Sequence, residues 1–341
     1  MKLFRYQNFI KESKEDIDSI CKKYGIRNYT INEDGSIDVE GNVHLTFKGL
    51  YELPLKFGKV SGDFCCYNNR LKSLEGSPRE VGGRFNCYDN KLTSLEGSPL
   101  EVVGDFYCHD NQLKTLEGAP RSVGGLFNCD DNELVNLEGS PNKVGGFSCD
   151  ANQLANLKGS PSEVVYDFSC CHNNQLTSLE GAPEKVGGYF ACSNNQLTSL
   201  EGSPLEVGGH FDCKNNQLTS LEGSPRSVGR EFYCYDNKLT SLEGISKYIS
   251  KGISCHNNQL RDVKGVKDGW RGKVWIEGNP VHQIFKLFPK ERCDEVIEYL
   301  NEYEVIRDGK VVILQALELV FHEMDLEVPE IDQIKGYDIQ F

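Results

Sequence analysis

The chain has 341 residues and a formal net charge of −14, from 51 acidic and 37 basic side chains. That balance disfavours a nucleic-acid backbone, which demands a basic stripe, and suits a basic or mixed-charge protein partner. No apolar run approaches the roughly 18 residues of a membrane span.

Residues 1–60 read as an N-terminal cap. Ile17, Ile20, Cys21 and Tyr24 share one face of a helix over residues 1–26, with Ser13 and Asp16 as start signals and Gly25 as a stop. Met1 to Ile10 lacks a secretory leader pattern, so the expected location is cytoplasmic. A hairpin follows, Asn28 to Ile31 and Ser36 to Val39 around Glu33-Asp34-Gly35. Ile37, Val39 and Asn42 then imitate one irregular coil that closes the first edge of a sheet.

From residue 61 to 280 one pattern returns at a spacing of 21 residues, apart from one step of 20 and one of 22, anchored on Asn69, Asn90, Asn111, Asn132, Asn152, Asn174, Asn195, Asn216, Asn237, Asn258 and Asn279. A period of this size means stacked coils rather than a globule with one centre. Before most anchors stand an aromatic (Phe64, Phe85, Phe106, onward, relaxing to Ile253 and Val274) and a cysteine (Cys66, Cys87, Cys108, onward, including Cys171, then Ile276), and after most of them two leucines. Phe-x-Cys has period two, so both side chains share one face of a strand, and stacking makes that face the core of a parallel sheet. Asparagine amides both donate and accept, and they suit the turn where backbone groups leave the ladder. Gly-Ser-Pro or Gly-Ala-Pro, as at Pro99 and Pro183, holds the back of each coil extended and polyproline-like, and paired glycines such as Gly82-Gly83 allow a tight return. A column of acids, Glu75, Glu96, Glu117 and onward, reads as a solvated edge.

This pattern resembles the leucine-rich repeat, and Asn-Gln-Leu-Thr-Ser-Leu at 195 to 200 and 216 to 221 is similar to the short repeats of bacterial type III secreted effectors. Its cysteine column, with the tail that follows, is similar to repeat proteins of large tailed bacteriophages. The resemblance implies an α/β solenoid of about ten to eleven right-handed coils with the parallel sheet on a concave face and helical caps. The phage likeness implies an origin but no activity; the expected role is a phage or bacterial factor that binds and inhibits a host protein such as a defence component, acting in the host cytoplasm if phage-encoded. The ubiquitin-ligase domain that often follows effector repeats is not carried over, because only about sixty residues remain, fewer than an ordinary domain.

Residues 281–341 read as a helical cap, with helices over Val281 to Phe288, Glu291 to Tyr303 and Lys310 to Met324. The cysteines of the column are expected as buried thiols rather than disulfides or zinc ligands, since a linear column does not converge on a point. No cofactor or metal is expected.

Between the core columns lie the outward positions, where the coils differ. Two residues before each anchor stand Tyr67, Tyr88, His109, Asp130, Asp150, His172, Lys214, Tyr235 and His256, with Tyr107 and Tyr233 four before and Tyr189 and His210 six before. Asp89, Asp110, Asp131 and Asp236 stand immediately before the anchor. Tyrosine supplies large contact area at low entropic cost, so this face is the candidate for non-enzymatic docking of a protein. Two alternatives are a metal or acid/base site on the His109, Asp130, Asp150 and His172 column, and a sponge for a small ligand.

Overall fold

The computed structural model describes residues 16–266 and 272–341. They form two compact units, Met1–Asn174 and Gln175–Phe341. Each is a stretch of parallel β-solenoid with the 21-residue spacing, about 11 coils in all.

In the first unit a helix, α1 (16–24), precedes the predicted hairpin. Tyr29–Ile31 and Ile37–Val39 pair antiparallel, with Tyr29 opposite Val39. Ser13 and Met1 to Ile10 lie outside the described residues. The face strands then stack in parallel with phenylalanine on phenylalanine: Phe64 opposite Phe85, Phe85 opposite Phe106, and Phe127 opposite Phe147. Their rings stack in the core at 5.5 Å for Phe64 and Phe85 and 5.1 Å for Phe85 and Phe106. Fully burying each ring is worth about 2–3 kcal/mol, and the alternating cysteines share the same dry side.

A second parallel ladder runs behind the first. Val60, Val81, Val102, Val123 and Val144 lie in register on two-residue return strands or within longer ones. The back of the coil is therefore partly hydrogen-bonded strand, where an unpaired polyproline-like run was expected. In Ser122–Asn128 one continuous strand serves both ladders, with a register shift between Val123 and Leu126. The paired glycines sit at this bend, and close approach is what selects them. A Cβ on Gly82 would lie 2.3 Å from the Ser61 carbonyl oxygen, and one on Gly124 2.2 Å from that of Val103. Left-handed backbone falls instead on the glycine of Glu-Gly-Ser-Pro, as at Gly97 with φ +86°. Hydroxyls of the following serines reach the next coil, Ser98 Oγ donating to the Gly118 carbonyl at 2.6 Å.

Two registers differ from the sequence reading. The first regular coil uses Val43, paired with Phe64, and Leu45, with Lys48 where an asparagine would stand. Asn69 Nδ2 donates to the Leu45 carbonyl and its Oδ1 accepts from Lys48 N. An asparagine at 48 would have no earlier carbonyl of this kind to reach. In the last coil of the unit the anchor is Asn173, fully buried, with Phe168 and Cys170 in the core columns. Asn174 is exposed.

The second unit continues the pattern through Phe190–Ala191, Phe211–Asp212, Glu231–Tyr233, Gly252–Ser254 and Lys273–Trp275. Phe211 stands opposite Phe190 and Phe232, and Val274 opposite Ile253. Three helices follow: α2 (His282–Phe285), α3 (Cys293–Glu302) and α4 (Leu314–Glu323). Val296, Ile297 and Leu300 of α3 are buried, as are Leu317, Val320 and Phe321 of α4, whose Phe321 stacks on Phe288 at 4.3 Å. Of Lys310 to Ile313, expected as helix, Lys310 lies in a turn and Val311–Ile313 belongs to a small sheet. Ile306–Arg307 and Val311–Ile313 form a hairpin across Asp308 and Gly309, both at positive φ, and Asp338–Gln340 pairs in parallel.

Candidate functional site

The outward side chains of the face strands stand on a backbone locked from beneath. Asn111 shows how: its Nδ2 donates to the carbonyls of Cys87, Cys108 and His109, and its Oδ1 accepts from Leu92 N at 3.0 Å. Each amide thereby ties its own turn to the preceding coil. The residue before each anchor takes a left-handed conformation, with φ between 50° and 58° at Asp89, Asp110, Asp131, Asn194, Asn215 and Asp236. Asn and Asp tolerate that region best. The acids before the anchors thus serve the turn.

The cysteine column adds cross-links of its own. Cys87, Cys108, Cys129, Cys149, Cys213 and Cys255 donate from Sγ to a carbonyl of the next coil at 3.2–3.4 Å. Leucine or valine cannot make that contact. Burial pushes these thiols well above their ordinary range, Cys255 up to about 12.

On the face of the first unit, Tyr67, Tyr88 and His109 form one file, with ring centroids 4.5 Å apart at both steps. Tyr107 meets His109 edge-on at 6.1 Å and donates from its hydroxyl to Asp105 Oδ2. Sequence reasoning missed the extension of this file. Phe47, 68% exposed, stands edge-on to Tyr67, and Tyr51, 62% exposed, accepts from Arg70 Nη1 at 2.7 Å. The available signal was Val43-x-Leu45, an apolar pair spaced like Phe-x-Cys, but the missing asparagine hid it.

Below the file, Asp130 and Asp150 occupy the same column. Asp130 Oδ1 accepts from Ser148 Oγ and Asp150 N at 2.7 Å, and its Oδ2 accepts from Asn128 Nδ2. Asp150 Oδ1 accepts from Ser169 Oγ and Cys171 N at 2.6 Å. Burial raises the Asp150 pKa, the Ser169 bond lowers it, and the Asp130 charge raises it further; the outcome is above the ordinary carboxylate range. With the anchor at Asn173, the next member of this column is Cys171. His172 takes the left-handed turn position, φ 57°, and is exposed. The two-histidine, two-aspartate column is therefore not assembled, and no group of three metal-ligating side chains forms among the described residues.

The second unit carries its own patch. Tyr235 stacks on His256 at 4.2 Å and meets Tyr233 edge-on at 6.5 Å, while His210 stacks on Tyr233 at 5.5 Å. Lys214 Nζ lies 5.6 Å from the Tyr235 ring centroid and 2.9 Å from Asp212 Oδ2. Burial pulls the Lys214 pKa down, but the Asp212 bond and charge outweigh it and leave it raised. His210 Nδ1 lies 2.9 Å from Glu231 Oε2, an ion-pair distance without hydrogen-bond geometry. Tyr189 is 40% exposed. The column of acids, Glu75, Glu96 and Glu117 among them, is exposed as expected.

No protein-family model matches the sequence, and no curated protein matches it. Among solved structures the chain is similar to YopM from Yersinia enterocolitica WA-314, with 17% identity and a TM-score of 0.36 over 70% of this chain and 64% of that one. It is also similar to the functional domain of InlJ from Listeria monocytogenes, described as including a cysteine ladder, with 20% identity and a TM-score of 0.36 over 58% of this chain and 49% of that one. The chain spans less than two thirds of the length of either.

Proposed function

We propose that the chain is a non-enzymatic recognition protein that docks a basic or mixed-charge protein on the outward face of its face strands. The observation that carries this reading is the aromatic file on each unit: half-buried rings held at stacking distance on a hydrogen-bonded backbone. Such rings lose little freedom on binding and supply the large contact area of interface anchors. Half-exposed acids around them, Asp89 and Asp236 among them, favour a partner with basic groups. The thiols of the core suit a reducing, cytoplasmic setting. The finer role, a bacterial or phage factor that inhibits a host protein, rests on the repeat's resemblance alone. Affinity capture from the native host, followed by hydrogen exchange on the captured complex, tests the proposal. Protection is expected over residues 64–109 or 210–256, and protection confined to the amides flanking the prolines and to the acids of the opposite side would overturn it.

A further inference from the structure

The repeats serve as each other's reference, and on the return side of the second unit the pattern breaks at several positions at once. The position two before the face phenylalanine is glycine at Gly83, Gly104, Gly125, Gly188 and Gly209, but Arg230 and Lys251 hold it on the next two coils. The position before the return valine carries acids and lysines that pair from coil to coil, Lys59 with Glu80 at 2.8 Å, and Lys143 with Glu163 and Lys185 with Glu206 at 3.0 Å. After Glu206 that position turns to Ser227 and Tyr248, and the pairing stops.

Four cations gather where it stops. Ser227 lies opposite Tyr248, which sets Arg226 beside Lys247, and Lys251 N donates to the Arg230 carbonyl at 3.4 Å, which sets Arg230 beside Lys251. Neighbouring coils stand about 5 Å apart, and the run from Arg226 to Arg230 spans at most about 14 Å. All four side chains are exposed, and none makes an ion pair among the described residues. Lys247 Nζ lies 5.0 Å from the centroid of the Tyr248 ring, itself 54% exposed. The carboxylates nearby are engaged or out of reach. Lys185 holds Glu206, and Glu231 lies 2.9 Å from His210. Glu222 and Glu243 precede the left-handed bends at Gly223 and Gly244, and among the described residues neither comes within ion-pair distance of the four. A groove of about 400 Å³ is lined by Ser227, Gly229, Tyr248 and Ser250, residues that fall between the two cations of each coil.

We propose that this corner of the second unit binds a short acidic segment of a partner protein. One carboxylate meets Arg226 and Lys247, another meets Arg230 and Lys251, and an apolar side chain between them fills the groove against Tyr248. Charge selects the occupant: four cations with no carboxylate at ion-pair distance stand on a protein of net charge −14, and a guanidinium beside an ammonium suits carboxylate oxygens. Extent selects a short segment over a nucleic acid or an anionic lipid surface. The patch covers two coils, and the exposed acids Glu201, Glu222 and Glu243 repel a polyanion that runs past it. The site lies off the aromatic files, and either proposal can fail alone.

The test uses the full chain and a labelled Glu-Asp-Val-Glu-Asp peptide with blocked ends, against its neutral counterpart Gln-Asn-Val-Gln-Asn. Arg230→Gly with Lys251→Gly restores the residue that the other coils carry, and Arg226→Gln with Lys247→Gln removes the second pair without touching the first. Each double variant should bind the acidic peptide about tenfold or more weaker than the parent, and the parent should bind the neutral peptide weaker by a similar factor. Lys238→Gln with Lys264→Gln, exposed lysines of the same unit away from the patch, removes the same net charge and should stay within about twofold of the parent. Equal loss in that control, equal binding of the neutral peptide, or absence of binding would each overturn the proposal. So would tighter binding of oligothymidylate or of phosphatidylserine vesicles than of the peptide, or self-association of the chain that either double variant abolishes.

Discussion

A buried asparagine at the turn is the residue on which each coil depends. Asn111→Ala removes three donated bonds and leaves Leu92 N without an acceptor, and each buried group so orphaned costs about 1–3 kcal/mol. We predict a loss of more than about 3 kcal/mol in urea unfolding; a loss under about 1 kcal/mol would refute the role given to the amide. Asp150 makes a contrasting case. Its folded pKa is raised, so the carboxyl contributes stability that is complete in acid and is lost as pH rises through the folded value. Asp150→Asn keeps the acceptor for Ser169 Oγ and Cys171 N and discards the charge. It should melt no lower than the parent at pH 7, whereas Asp150→Ala should lose about 1–3 kcal/mol. The slip at Asn173 shows where residue-level reading fails. Cys170-Cys171 and Asn173-Asn174 are both doublets, so either member fits the spacing, and a one-residue shift exchanges core for surface. Phe168 decides between them, because only the Asn173 register buries that ring.

At the scale of the element, the stacked strands and their cysteine column were legible because phenylalanine and cysteine alternate with little else buried between them. The return ladder was not, since Glu-Val before a glycine pair carries too few residues to show a period. The hairpin over Asp308 and Gly309 was hidden by a helical spacing from Ile313 onward that overlaps it. The column makes a pH prediction. A buried thiol with a raised folded pKa contributes stability that is whole below the unfolded value and is lost as pH rises towards the folded one. For Cys255, from 9.0 to about 12, that loss reaches about 4 kcal/mol, and the other column thiols titrate in the same direction. Melting temperature should therefore hold to about pH 9 and fall steeply above it; a flat profile to about pH 11 would place the column outside the core. Gly124→Ala tests coil spacing separately. Its Cβ would meet the Val103 carbonyl at 2.2 Å, and a loss of about 2 kcal/mol or more is expected in thermal melts.

For the whole molecule, the proposed docking would divide its labour between a net charge of −14 and an aromatic file on each unit. Exposed charges govern approach and are screened over about 10 Å at 0.1 M salt, while buried aromatic anchors govern lifetime. Stacking also gives the rings a structural share, so replacing Tyr88 or Tyr235 should cost about 1 kcal/mol of stability besides any effect on binding. The decisive measurement is the affinity of the captured partner for Tyr88→Ala with Tyr107→Ala and for Tyr233→Ala with Tyr235→Ala, against a control with Glu96→Lys and Glu117→Lys on the exposed acidic column. The account predicts that at least one tyrosine pair weakens binding by about 2 kcal/mol or more, with the control near the parent. Loss of the partner in the control with full affinity in both tyrosine variants would contradict it.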